Sequence, residues 1–141
     1  MAYTKRFTNI SAEDVLREVT LQRTASEYGL APDVLDTDNV TFITMENMGE
    51  MNLAEKYGDT MEDIPETIKR DIWNILWALY SCCNMEYTDV TPYNFMEKDG
   101  RVWVVDFGHA RKINGGEIDN WLLSVLNDES QMLSEWNADF A

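Results

Sequence analysis

The sequence predicts an α+β fold in which a small sheet with one helix precedes a mostly helical half. Three observations support this class. Ser11-Ala-Glu-Asp14 has the form of a capping box and begins one helix. A longer helix follows Pro65, a residue that is tolerated in the first turn. The Asp99-Gly100 pair lies between two extended segments, which is typical of a β-hairpin.

The first helix and a pair of strands account for the early part of the chain. Gly29 and Pro32 end the helix. We expect four of its residues to point inward, namely Val15, Leu16, Val19 and Gln22. Polar turn formers at 36–39 interrupt an otherwise extended run, so residues 33–45 are predicted to form paired strands.

The helix after Pro65 is the strongest element of the second half. Its apolar residues follow one helical face, at Ile68, Ile72, Ile75, Leu76 and Leu79. Trp73, Trp77 and Tyr80 widen that face, so we expect this helix to be the buried centre of the fold. A short helix over Met51–Tyr57 is predicted before it.

Three further segments complete the predicted elements. Extended runs at 93–96 and 101–105 flank the Asp-Gly pair and form a second hairpin. Apolar residues from Ile118 to Leu126 recur at helical spacing. A short amphipathic tail is predicted from Ser130 to Trp136.

The composition predicts one folded domain, and the features below place it in the cytoplasm. The 141 residues are 45% hydrophobic and 11% aromatic, which argues against intrinsic disorder. No run approaches the roughly 20 apolar residues of a membrane span, and no apolar stretch follows the N-terminal basic pair to make a signal peptide. Cys82 and Cys83 are adjacent, so we expect free thiols in a reducing compartment, cytosolic or nuclear.

The net charge is strongly negative. Eleven Lys and Arg against 26 Asp and Glu give 11 − 26 = −15. This field repels phosphate backbones and anionic membranes, so direct binding to nucleic acid or to a membrane is not expected. A basic protein partner, or divalent cations held by carboxylates, would suit this charge better.

Two polar segments flank the second hairpin. Asp89 precedes Asn94 by five residues, and Asp106 follows the second strand. Antiparallel strands joined by a turn bring Asn94 and Asp106 side by side. The alternative is that Asp106 belongs to an ordinary turn and that Asn94 caps a loop.

These segments resemble a known pair of motifs. Tyr87-Thr-Asp-Val-Thr-Pro-Tyr-Asn94 is similar to the protein-kinase catalytic loop, H-R-D-x-x-x-x-N, and Asp106-Phe-Gly108 to the metal-binding D-F-G. The resemblance implies that Asp89 orients the attacking hydroxyl and receives its proton. It also implies that Asn94 and Asp106 hold the Mg²⁺ that neutralises the phosphates of ATP.

The resemblance extends upstream to a nucleotide site. The kinase lysine lies on a strand and pairs with a glutamate of the next helix, which implies Lys5 with Glu18. The alternative is a chance pairing of an exposed lysine with an acidic helix. Residues 43–48 resemble the last strand of the N-lobe and the hinge, where backbone near Glu46 and Met48 would bind adenine.

The whole chain is therefore identified as protein-kinase-like. Gly29-Leu-Ala-Pro32 resembles the turn that ends the corresponding helix in RIO-type and related atypical kinases. The resemblance implies a two-lobe fold in miniature and a single domain. A reduced N-lobe would cover residues 1–48, and a reduced C-lobe would cover residues 49–141.

The departures from the kinase pattern are as informative as the matches. Only four residues precede Lys5, so we expect no Gly-rich loop over the ATP phosphates. Tyr87-Thr88 replaces His-Arg, which removes the arginine that reads activation-loop phosphate. No A-P-E follows Gly108, so a segment that docks peptides is not expected.

Two functions of different classes remain open. The presence of Asp89, Asn94 and Asp106 together favours ATP- and Mg²⁺-dependent phosphoryl transfer to a protein Ser/Thr or to a small-molecule hydroxyl. The missing Gly-rich loop favours a non-catalytic, pseudokinase-type module that binds a protein partner.

The first strand predicts a surface for association. Tyr3 and Phe7 flank Lys5 and share one face of the strand. An exposed edge strand with two aromatic residues is a template for binding a second copy or another protein. The alternative is that the acidic C-terminal tail, with Trp136 and Phe140, folds back over it.

Overall fold

The computed structural model describes residues 2–140, so Met1 and Ala141, the outer limits of the predicted lobes, lie outside the described residues. The first part contains the strands β1 (Ala2–Arg6), β2 (Val34–Thr37) and β3 (Phe42–Glu46) and the helix α1 (Ala12–Glu27). The second part contains the helices α2 (Leu53–Tyr57), α3 (Glu66–Ser81) and α4 (Asn120–Leu126) and two short strand pairs. The pairs are β4 (Met85–Glu86) with β7 (Arg111–Lys112) and β5 (Phe95–Lys98) with β6 (Arg101–Val104). The predicted α+β class is confirmed.

Helix α1 begins at the predicted cap. The Ser11 side chain accepts a hydrogen bond from the Asp14 amide at 3.1 Å, and the Asp14 carboxylate pairs with Arg17 at 2.8 Å. The predicted inward residues Val15, Val19 and Gln22 are buried. The expectation for Leu16 was wrong, because its side chain is 49% exposed. Leu16 lies about 100° around the helix from Val15, outside the buried stripe.

The first three strands form one antiparallel sheet in the order β1-β3-β2. The predicted pairing within residues 33–45 is confirmed as β2 with β3. Strand β3 begins at Phe42, and not at Val40, because the Asp38 carboxylate accepts hydrogen bonds from the amides of Val40, Thr41 and Phe42. These bonds hold the chain in a turn up to the start of β3.

Two hydrophobic clusters hold the fold together. The smaller one lies between the sheet and α1 and contains Val15, Val19, Ile43 and Met45. The larger one surrounds α3, whose buried residues are the predicted Ile68, Ile72, Ile75, Leu76 and Leu79. Trp73 joins α3 to α4, since its indole nitrogen donates to the Val125 carbonyl at 2.8 Å. Helix α3 is therefore the buried centre of the second part, as predicted.

The second hairpin consists of β5 and β6, with Phe95 opposite Val104. Asp99 and Gly100 form its turn with φ angles of 56° and 76°. The prediction that a strand begins at Tyr93 was wrong. Pro92–Asn94 forms one turn of 3₁₀ helix, because the fixed φ of proline suits the first helical position.

The predicted tail from Ser130 to Trp136 contains no helix or strand. Its buried Leu133 and half-buried Trp136 pack on the larger cluster. No helix within residues 2–140 is both long enough and apolar enough to cross a membrane.

Candidate active site

A cavity of about 320 Å³ lies between the sheet and the second hairpin. Its volume is at the lower end of the range of small-molecule sites, about 300–1,000 Å³. Five of the seven predicted site residues line it, namely Lys5, Glu46, Met48, Asn94 and Asp106. The other two, Glu18 and Asp89, do not line the cavity, but each is hydrogen-bonded to a residue that does, Glu18 to Lys5 and Asp89 to Asn94.

The Lys5 ammonium group connects the two parts of the chain. Its Nζ lies 2.6 Å from Glu18 Oε2 and 3.3 Å from Asp106 Oδ1. The structure thus contains the ion pair that the resemblance implied between Lys5 and Glu18. The Glu18 side chain is only 7% exposed, so this pair is largely shielded from water.

Burial and charge act in opposite directions on this pair. Burial raises the pKa of Glu18, and the Lys5 ammonium opposes the shift. Burial lowers the pKa of Lys5, but Asp106 and Glu18 outweigh it, so the pKa of Lys5 is raised overall. Lys5 therefore keeps its positive charge at neutral pH, facing a cavity where phosphate could bind.

Asp106 is fixed on both its side chain and its backbone. Its Oδ1 accepts from the Gly108 amide at 2.8 Å, and its carbonyl accepts from the Tyr87 hydroxyl at 2.6 Å. Within residues 2–140, its second carboxylate oxygen, Oδ2, accepts no hydrogen bond. One oxygen is therefore held by the protein and the other is available to a ligand.

Tyr87, which stands where the kinase motif has His, also contributes to the site. It is buried and packs edge-on against Phe95 and Phe107. Burial raises the pKa of its hydroxyl, so the group remains a donor to the Asp106 carbonyl. Its aromatic character was the available signal, because a buried tyrosine usually finds a hydrogen-bond partner.

The loop before the hairpin holds Asp89 and Asn94. Asn94 is buried, and its Nδ2 donates to the Asp89 carbonyl at 2.8 Å. The Val105 amide donates to the Asn94 carbonyl at 3.0 Å, which places Asn94 beside Asp106 as the hairpin pairing predicted. Burial raises the pKa of the half-buried Asp89.

The two predicted hinge residues differ in what they offer a ligand. The Glu46 amide donates to the Asp33 carbonyl at 3.1 Å, and the Glu46 carboxylate accepts from the Asp33 amide at 2.8 Å. The Met48 amide donates to no acceptor in the part of the chain described, residues 2–140. Met48 is therefore the position with a backbone donor available to a ligand.

Two side chains that line the cavity fit Mg²⁺ by their donor chemistry. Asp106 supplies a carboxylate and Asn94 an amide oxygen, both hard oxygen ligands. No group of three or more acidic, His or Cys side chains in residues 2–140 is arranged to hold a metal. Such a sparse set suits Mg²⁺, which usually binds one or two carboxylates together with waters and substrate phosphates.

The C-terminal tail also contacts the loop, and no motif in the sequence predicted this contact. Asn137 is buried and donates to the Thr88 and Val90 carbonyls. Phe140 packs against His109, with ring centroids 5.2 Å apart. The suggested folding of Trp136 and Phe140 over the first strand was therefore wrong, because both pack in the second part of the chain.

The predicted aromatic patch on the first strand is smaller than expected. Tyr3 is 55% exposed, but Phe7 is half-buried against the smaller hydrophobic cluster. The Lys5 ammonium lies 5.1 Å from the centroid of the Phe7 ring. Phe7 thus packs partly against the smaller hydrophobic cluster, and Tyr3 is the more exposed of the two aromatic residues.

A small sheet with one helix, a second part with three helices and two short strand pairs, and a cavity that both parts line are typical of a protein-kinase-like protein. Among family models, that of the RIO domain matches residues 3–122. The chain belongs to the RIO domain family, a family of atypical, protein-kinase-like proteins. A comparison with curated proteins found no match. The family predicted from the motifs is confirmed, whereas the roles of the individual site residues remain predictions.

Proposed function

We propose that this protein binds ATP with Mg²⁺ and transfers the terminal phosphoryl group to a hydroxyl acceptor. One observation carries the proposal. The Lys5 ammonium lies between Glu18 and Asp106 at the wall of a cavity that Asn94 and Met48 also line. This arrangement combines a fixed cation, oxygen ligands and a free backbone donor, which are the groups that bind a nucleoside triphosphate with its metal ion.

Four residues would bind and orient the nucleotide. The Met48 amide would donate to the adenine, and Lys5, held by Glu18, would contact the phosphates. Asn94 and Asp106 would hold Mg²⁺ through their side-chain oxygens. The ion, when bound, neutralises the charge that develops on the transferred phosphoryl group.

Asp89 would act on the acceptor. Burial raises the pKa of its carboxyl group, which makes the carboxylate a better proton acceptor. Asn94 fixes the Asp89 backbone by its hydrogen bond of 2.8 Å. We expect Asp89 to orient the attacking hydroxyl and to receive its proton.

The acceptor is a protein Ser/Thr or the hydroxyl of a small molecule. The net charge of −15 favours a basic acceptor, because the field of the protein attracts cations. The same charge would favour a basic protein partner if the chain were a non-catalytic module. Binding and turnover must therefore be measured separately.

The first prediction is that nucleotide binding depends on metal through Asp106. ATP with Mg²⁺ should raise the unfolding temperature, because a ligand that binds only the native state stabilises it. EDTA, or Asp106→Asn, should remove most of that increase. Asp59→Asn makes the same change at an exposed residue outside the cavity and should keep it. An increase that persists in full in EDTA contradicts the metal assignment.

Turnover is tested on Asp89, with labelled ATP and with basic proteins and polyhydroxylated small molecules as acceptors. Asp89→Asn should keep the ATP-induced stabilisation and lower the transfer rate by about 10²–10⁴-fold, since it removes only the proton acceptor. Equal transfer rates for the wild-type protein and for Asp89→Asn would exclude Asp89 as the base. Binding without any transfer would favour the non-catalytic module.

A further inference from the structure

The backbone around Asp89 is held from outside at three successive carbonyls. Asn137 Nδ2 donates to the Thr88 carbonyl at 2.7 Å, and the Asn137 amide donates to the Val90 carbonyl at 3.1 Å. Asn94 Nδ2 donates to the carbonyl of Asp89 itself at 2.8 Å. Thr88, Asp89 and Val90 belong to no helix or strand, so these bonds replace the support that regular structure would give.

Asn137 is itself held in a defined orientation. It is 3% exposed, and its Oδ1 accepts from the Asp139 amide at 3.2 Å. This bond directs the amide nitrogen of the side chain to the Thr88 carbonyl. Leu133 and Trp136 anchor the preceding residues in the larger hydrophobic cluster. The tail is therefore fixed by packing before it reaches the loop.

The contact between Asn137 and the loop lies outside the segment that matches the RIO domain. The RIO domain match covers residues 3–122, whereas Asn137 lies fifteen residues beyond it. None of the predicted site residues lies in this segment. The role of Asn137 is therefore inferred only from its hydrogen bonds and its burial.

We propose that Asn137 is a positioning residue for Asp89, on the basis that Asp89 has the role given under the proposed function. Asn137 bonds the residues on both sides of Asp89, and it fixes the backbone from which the carboxylate projects. It does not line the nucleotide cavity. Its loss should therefore impair phosphoryl transfer and leave nucleotide binding intact.

The test uses a substitution of nearly equal size. Asn137→Asp keeps an oxygen that can accept from the Asp139 amide, but it replaces the donor to Thr88 by a carboxylate oxygen. The matched control is Asn127→Asp, which makes the same change of charge at an exposed residue. Within residues 2–140, the Asn127 side chain makes no hydrogen bond. If Asn137→Asp does not fold, Asn137→Ser removes the side-chain amide without adding a charge.

We expect Asn137→Asp to lower kcat by about 10- to 100-fold, because a small misplacement of a reacting group has effects of this size. KM for ATP and the ATP-induced rise in unfolding temperature should stay within about twofold of wild type. Asn127→Asp should match wild type in all three. An unchanged kcat, or a fall in kcat that the control shares, would overturn the proposal.

A second measurement does not depend on turnover. Hydrogen–deuterium exchange at residues 88–91 should be faster in Asn137→Asp, whereas exchange in α3 should be unchanged. If the wild-type protein transfers no phosphate, the proposed function fails and exchange alone decides the role of Asn137. Unchanged exchange in the loop would then reject it.

Discussion

A single ammonium group, that of Lys5, lies between two carboxylates from opposite parts of the chain. Glu18 is the more buried of the two, and burial raises its pKa against the effect of Lys5. Removing the cation would leave a shielded carboxylate without its partner. The stability of the fold and the geometry of the site therefore depend on the same side chain.

We predict that Lys5→Met lowers the free energy of unfolding by about 2 kcal/mol. This is less than the roughly 3–5 kcal/mol for breaking a fully buried ion pair, because the Lys5 side chain is 25% exposed. Adding Glu18→Gln should restore part of the loss, because it removes the carboxylate left without a partner. Urea unfolding of both single variants and the double variant measures this coupling. Simple additivity of the two losses would contradict it.

The deficit of Lys5→Met should also depend on pH. The folded-state pKa of Glu18 is raised above its ordinary value of 4.5, and loss of Lys5 would raise it further. Between the pKa of Glu18 in the unfolded chain and its higher pKa in the folded variant, the folded protein then binds more protons than the unfolded chain. Stability is consequently recovered as the pH falls through the folded-state pKa towards 4.5. A deficit that grows with acidity would contradict this assignment.

Among the elements, the β5–β6 hairpin does most to assemble the site. It carries Asn94 at its entrance and Asp106 just after its exit, and its register brings these ends together. The turn requires positive φ at both Asp99 and Gly100. Aspartate tolerates this conformation, and glycine adopts it without steric cost.

Gly100→Ala is predicted to lower the free energy of unfolding by about 1 kcal/mol, because an L side chain is strained at this φ of 76°. No atom lies within 4 Å of the position that the new Cβ would occupy, so a steric clash does not contribute. Gly116→Ala is the matched control, with equal space and no positive φ. Thermal unfolding compares the two, and equal losses would indicate that the turn conformation is not the cause.

An element could be predicted from the sequence where residues close in the chain determine it. The cap at Ser11, the apolar face of α3 and the Asp-Gly turn are all set by residues close in sequence. Strands β4 and β7 have two residues each and exist only because distant segments meet, so no local pattern marked them.

The same distinction applies within the site and the tail. The motifs predicted which residues would meet, but not that Tyr87 would bond the Asp106 carbonyl. The amphipathic tail was predicted, but not the contacts of Leu133 and Asn137 that fix it in an irregular path. Tertiary contacts decide the path where local preference is weak.

At the scale of the whole molecule, an open edge and a large negative charge act against each other. Strand β1 is one of the two outer strands of its sheet, and no strand within residues 2–140 pairs with its outer edge. Tyr3 is exposed on it. The charge of −15 opposes contact between two copies, but salt screens this repulsion.

We predict that the protein self-associates through β1 at high concentration, and more strongly at high salt. Tyr3→Glu should shift the sedimentation coefficient towards the monomer, because it places a charge on the edge strand. Tyr28→Glu is the control, since Tyr28 is equally exposed at the end of α1. Phe7 is left intact because it packs against the smaller hydrophobic cluster. A monomer under all conditions would rule out association through this edge.

The hydrogen bonds from Asn137 to Thr88 and Val90 have a consequence for biosynthesis. A chain that leaves the ribosome from its N-terminus exposes Lys5, Asn94 and Asp106 before it exposes Asn137. The residues that line the cavity therefore leave the ribosome before the residue that holds the backbone on both sides of Asp89. If Asp89 has the proposed catalytic role, turnover would begin only once the tail has emerged and packed against this loop.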